Sequence, residues 1–359
     1  GDTHNVGPAN FYRTVDGPRK QAEFVSELFM GSRLRCANCH NHPLDKWTQD
    51  DYHGLASIFS KIENAQIVRV RASGDVIHPL TREPAVARIP GEYYLKDKTQ
   101  DGREDLAEWL TAEDNPYFAK AIVNRLWSSL MGRGLVEPVD DMRDTNPATH
   151  PKLLNRLAED FAASGYRLRP MLKRIATSAT YARSSNTVPG NAEDDRYYSH
   201  ALRRPLEAEV LADGISYVLN VPAQHGGKAP GQRAVTLVDL YTPSRTLDIL
   251  GRCGREESCE SETSISGGLT RNLHLLNGEL INARISREEG RLARFFDADT
   301  APMDIIDELY LVALSRKPAG ATRRFWREQL ANVESVEQQK GLLEDFLWSL
   351  LASSKFNSK

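Results

Sequence analysis

The sequence predicts a mainly α fold with a minor β segment at about residues 66–100. Three observations carry this. Apolar residues recur at helical spacing in several stretches that end at glycine. One stretch, 66–100, alternates apolar and polar residues around Gly and Pro instead. No apolar run approaches the ~18 residues that crossing a bilayer requires, although 40% of the 359 residues are apolar. That length and composition suit a sizeable core divided between two domains.

The elements follow in order. Residues 19–33, RKQAEFVSELFMGSR, set Phe24, Leu28 and Phe29 at helical spacing, with Gly31 as the stop. Residues 48–62, TQDDYHGLASIFSKI, read as a helix whose positive N-terminal end is favoured by Asp50 and Asp51. QIVRVRASGDVIHPL and ARIPGEYYLKD then read as short strands or a hairpin. Beyond residue 103 the pattern is helical again, with Phe118, Ile122, Leu126 and Leu130 every four residues and Gly132 and Gly134 as the stop. Pro151 opens the next helix, Leu154, Leu157 and Phe161 form its buried stripe, and Gly165 ends it. RPMLKRIATSATYARSS continues as a third helix. Turn-rich loops fill 184–270 around one helix near RRPLEAEVLADGISYVL, and three amphipathic helices occupy 303–353.

The 46 basic and 49 acidic residues give a net charge of −3 and are interspersed. No basic tail or stripe of the kind that tracks a phosphate backbone is present, so nucleic acid is not an expected partner. The polar start, GDTHNVGPANFYRTVDG, has no apolar signal core. Either export is absent, or this is a mature or internal piece of a longer precursor.

Chemistry concentrates at LRCANCHNHPLDKWTQDD, residues 34–51, with two cysteines and two histidines in seven positions. Cys36-Ala37-Asn38-Cys39-His40 is C-x-x-C-H, the attachment pattern of c-type haem. Two thiols three positions apart reach the two vinyl groups of a porphyrin, and the adjacent imidazole meets the iron. Three rivals stand beside that reading. A zinc ion could take Cys36, Cys39, His40 and His42, though four ligands in seven residues crowd a tetrahedron. A redox disulfide lacks the βαβ context such a motif needs. Two ordinary buried cysteines are the third. His42 is too close to His40 to reach the opposite face of the iron, which leaves it a hydrogen-bonding or capping role.

The surrounding sequence, RCANCHNHPLDKWTQDDYHGLASIFSKI, resembles a cytochrome-like family of domains of unknown function found in planctomycete surface proteins. Its wording, C-x-x-C-H-x-H-P-hydrophobic-D-x-W-T-Q-D-D-Y-x-G, is present in every fixed element. NPYFAKAIVNRLWSSLMGRGLVEPVDDMRDTNPATHPKLLNRLAEDF, LTRNLHLLNGELINARI, RCGREESCESE and LWSLLASSKF resemble the companion domain that follows it. The resemblance implies residues 1–100 as the C-terminal part of a c-type cytochrome-like haem domain and 101–359 as a mostly helical companion. It implies export to the periplasm or cell surface and one covalent haem c. It also implies a partner in an upstream portion of the same precursor or in a redox cytochrome, and the chain resembles a processed fragment.

Opposite His40, the expected proximal ligand, any of five methionines or several histidines could sit, and most such methionines are simply core. His274, with Asn277 on the same helical face, is the expected distal-side residue. His150, before Pro151, is expected chiefly to cap a helix. Cys259 and Glu260, in a loop with Arg255, Glu256 and Glu262, are candidate catalytic groups with His274. The family wording there has a second cysteine where this chain has Ser261, which removes a vicinal thiol pair and leaves a Cys253–Cys259 disulfide open. Trp47 and Tyr52 could pack on the porphyrin, with core packing as the alternative. Arg203 and Arg204 could pair with haem propionates. The expectation is a haem-dependent oxidoreductase of unknown substrate, small-molecule or carbohydrate. An electron-transfer subunit is the alternative, and a structural surface protein or zinc module the third reading.

Overall fold

The computed structural model describes residues 1–96, 101–237, 239, 242–253, 268–278 and 280–358, and it is mainly helical. The described chain forms two compact units, Gly1–Leu202 and the remainder from Arg203 onward.

In the first unit, α1 (Phe11–Thr14) leads to α2 (Pro18–Val25), which opens on a proline whose fixed φ suits the first helical turn. The chain widens into a π-type turn at Ser26–Met30 and stops at Gly31, whose φ of 64° is left-handed. α3 (Gln49–Ile58) begins with a reciprocal capping box between Thr48 and Asp51. β1 (Ile62–Glu63) and β2 (Arg69–Val70) pair antiparallel, Ile62 opposite Val70. The rest of the expected β segment contributes single bridges, Ile77 with Pro84 and Arg88 with Tyr94. Pro79, Pro84 and Pro90 lack the N–H that a longer ladder needs.

α4 (Gly102–Thr111), α5 (Phe118–Met131), α6 (Pro151–Ala163) and α7 (Leu168–Ala176) complete this unit. The fully buried face of α5 is not the every-fourth row from Phe118, whose members are half-buried. It carries Ala121, Val123, Asn124, Arg125, Trp127 and Met131. Neighbours on more than one side explain this. Arg125 Nη2 donates to the Glu27 carbonyl at 2.7 Å, and Asn124 Nδ2 donates to the Val136 carbonyl at 2.9 Å. Arg33 pairs with Asp140 at 2.6 Å, and the Met142 N–H donates to the Gly31 carbonyl. These links join residues on both sides of residue 100 within one compact unit. α6 is as the sequence reads, with Leu154, Leu157 and Phe161 buried and Gly165 at φ 69°.

The second unit contains α8 (Ala208–Leu219), α9 (Arg245–Leu250), α10 (Gly268–Asn277), α11 (Asn282–Ile285), α12 (Arg291–Asp297), α13 (Pro302–Leu314), α14 (Gly320–Ala331), α15 (Val336–Ala352) and α16 (Ser354–Asn357). The three expected tail helices are α13, α14 and α15. Leu211, Ile215, Ile305, Leu309, Phe346 and Leu347 centre its core, each burial worth roughly 1.5–3 kcal/mol. Among the described residues no helix is long and apolar enough to cross a membrane.

Candidate functional site

Past Gly31 the chain forms a 3₁₀ turn over Leu34–Asn38. With about three residues per turn, positions three apart share a face. Leu34 and Ala37 therefore point inward and are fully buried, which leaves Cys36 and Cys39 to the outward side. Both cysteines are free and exposed. The turn is held from beneath by Arg35, whose Nε lies 3.3 Å from Glu23 Oε2 on α2.

His40 is exposed, and its Nδ1 lies 2.8 Å from the Asn41 carbonyl. A carbonyl only accepts, so Nδ1 carries the proton and the Nε2 lone pair is left for a ligand. His42 takes the opposite tautomer, because its Nδ1 accepts the Leu44 N–H at 3.2 Å. The His42 N–H donates to the Trp47 carbonyl at 2.8 Å and closes the loop. His42 is thus tied into its own loop by two hydrogen bonds.

Trp47 is 1% exposed, packed against Tyr117 with ring centroids 5.7 Å apart, with Lys46 Nζ 5.1 Å from its ring. It supports the loop from the core and does not face outward; Tyr52 is equally buried and donates from its hydroxyl to Glu23 Oε1 at 2.7 Å. Burial, followed by the Glu23 carboxylate, pushes the Tyr52 phenol well above its usual range, so it remains a donor.

A buried histidine pair lies under the loop. His53 is fully buried on α3, and its Nε2 donates to the Asn38 carbonyl at 3.0 Å. Its ring meets His78 edge-on at 4.9 Å, and His78 Nε2 lies 3.2 Å from Asp50 Oδ1. His53 Nδ1 has no partner among the described residues. Burial lowers its pKa from 6.5, with His78 and Arg19 acting the same way and the Asn38 carbonyl opposing. His53 and His78 read in sequence only as spare iron ligands; here they brace the C-x-x-C-H turn.

His274 is on α10, and Arg203 and Arg204 open the second unit, so none belongs to the unit that carries Cys36, Cys39 and His40. Cys259 and Glu260 lie outside the described residues, as do Arg255, Glu256, Ser261 and Glu262. Cys253 is disulfide-bonded. His150 does not cap α6; its ring packs on Tyr197 and Tyr198 instead. Met30, Met131 and Met171 are core. Among the described residues no three His, Cys, Asp or Glu side chains converge to hold a metal ion. The crowded zinc arrangement of Cys36, Cys39, His40 and His42 is therefore not preformed, His42 being tied into its own loop. Two free thiols on one side of a turn, beside an imidazole with Nε2 available, do fit the donor set of a covalent haem.

No curated protein and no solved structure matches the chain. Two family models do, in agreement with the resemblance to two successive domains of unknown function. Residues 5–64 match PSCyt2, a protein of unknown function (DUF1549). Residues 102–330 match PSD1, likewise a protein of unknown function (DUF1553). The second match spans more than half of the sequence, and the chain belongs to the PSD1 family.

Proposed function

We propose that the chain is an exported redox protein carrying one c-type haem, with Cys36 and Cys39 as the thioether residues and His40 as the axial ligand. One observation carries the reading: the 3₁₀ turn buries Leu34 and Ala37 and so leaves both free thiols exposed, beside an imidazole whose outward nitrogen is unprotonated. The haem, when bound, supplies one-electron iron chemistry. The protein's own part is to hold the two sulfurs and Nε2 in place through Glu23, Asn41 and His53. The disulfide at Cys253 supports an oxidising compartment, where c-type attachment belongs.

Exposure of all three residues favours electron transfer to a partner, since an exposed attachment face lets a second redox centre approach. A haem-dependent oxidoreductase is the second reading, favoured by about 300 residues of chain beyond the motif. Expression with a cytochrome maturation system, followed by acid–acetone extraction, tests the attachment. Haem should stay with the protein and be lost in the Cys36→Ser/Cys39→Ser double variant. A colourless wild type containing stoichiometric zinc would sink the proposal. A carbon monoxide shift of the reduced spectrum would assign the oxidoreductase; a spectrum indifferent to it would assign the carrier.

A further inference from the structure

The net charge of −3 conceals a local imbalance. Residues 161–192 contain five cations, Arg167, Arg169, Lys173, Arg174 and Arg183, and no acidic residue. α7 lies in the middle of this stretch and anchors itself by Met171 and Ile175, 4% and 1% exposed. Its other faces are open. Leu168 and Leu172, one helical turn apart, are 52% and 37% exposed, and Tyr181 just beyond the helix is 45% exposed. Arg169 and Lys173 form the neighbouring stripe, and with Arg167, Leu168 and Pro170 they line one open groove.

The cations divide into two sorts. Arg174 pairs with Asp160, and Arg183 donates to the Tyr198 carbonyl. Arg167, Arg169 and Lys173 have no ion-pair partner among the described residues. Three uncompensated cations beside two protruding leucines and a tyrosine match a surface in which phosphate lies next to hydrocarbon. Guanidinium and ammonium groups pair with the headgroups, leucine enters the acyl boundary, and tyrosine sits between them. An anionic bilayer supplies both counterparts, phosphate and hydrocarbon, in one continuous surface.

We infer that α7 is a peripheral docking surface for an anionic lipid bilayer. The inference stands apart from the haem reading, since no residue of the C-x-x-C-H turn enters it. The test is co-sedimentation of the full chain with vesicles of phosphatidylcholine alone, and of equal parts phosphatidylcholine and phosphatidylglycerol. Binding should appear only with the mixed vesicles. The Arg169→Glu/Lys173→Glu variant should lose roughly thirtyfold or more in affinity, and Leu168→Ser/Leu172→Ser should also bind measurably more weakly. All four side chains are exposed, so unchanged thermal melts should accompany both variants. Failure of the wild type to bind mixed vesicles overturns the inference, as does unchanged binding by the charge variant. Loss in the charge variant with full binding by the leucine variant also overturns it, because α7 would then meet the vesicles by charge alone with no leucine entering the acyl boundary.

Discussion

His53 shows how one side chain ties a site to solution conditions. Its imidazole is neutral in the folded chain because burial disfavours the charged form. The lowered pKa fixes the sign. Its stabilising contribution is fully present above the ordinary value of 6.5 and is lost as pH falls below that toward the folded value, because the unfolded chain takes up the proton first. Urea unfolding of the wild type should therefore show stability declining on the acid side. In His53→Gln, which retains an N–H for the Asn38 carbonyl, that part of the decline should vanish. His53→Ala should cost about 1–3 kcal/mol at neutral pH by orphaning the carbonyl. An identical acid-side decline in wild type and His53→Gln would assign it to other groups.

At the scale of elements, α3 depends on both of its neighbours. The capping box holds its start, so Thr48→Ala should lower stability by about 0.5–2 kcal/mol in a denaturant titration. Gly54, in its middle, admits the passing chain. A Cβ there would lie 2.5 Å from Arg88 Cβ and 3.1 Å from the Val86 carbonyl oxygen, so Gly54→Ala must push residues 86–88 away. A loss of about 1–3 kcal/mol, read as a lowered thermal midpoint, is expected. These contacts also mark where the sequence is legible. The helices around Phe161 and along 302–352 were readable because a buried stripe and a terminating glycine or proline are local signals. The C-x-x-C-H stretch was readable as a motif because its five residues are consecutive in the sequence. The buried face of α5 was not, because residues almost a hundred positions away, such as Glu27, cover it. The His53–His78 pair was hidden for the same reason, since it forms only when the segment carrying His78 folds back onto α3.

For the molecule as a whole, each unit buries its own apolar residues, the second in one cluster around Phe346 and Leu347, the first in two clusters, around Leu55 and around Trp127. Equilibrium unfolding is expected in two steps, not one. Arg125→Ala, which removes a buried donor to Glu27, should shift only one step, and Phe346→Ala only the other. Tryptophan fluorescence follows both, because Trp47, Trp109 and Trp127 belong to the first unit and Trp326 and Trp348 to the second. A single coincident transition shifted equally by both substitutions would show the units to be one cooperative body.

If the proposed haem is attached at Cys36 and Cys39, their free thiols make the chain's maturation a race. Their turn is already braced by His53, Glu23 and the Trp47 carbonyl before any cofactor arrives. In the oxidising compartment that this reading proposes, two neighbouring exposed thiols are also driven toward a disulfide with each other. Sulfur spent that way cannot form a thioether. On the proposed haem reading, preorganisation therefore gives the turn its shape early and shortens the time in which it can be loaded, and that reading calls for a reductant acting on this one pair.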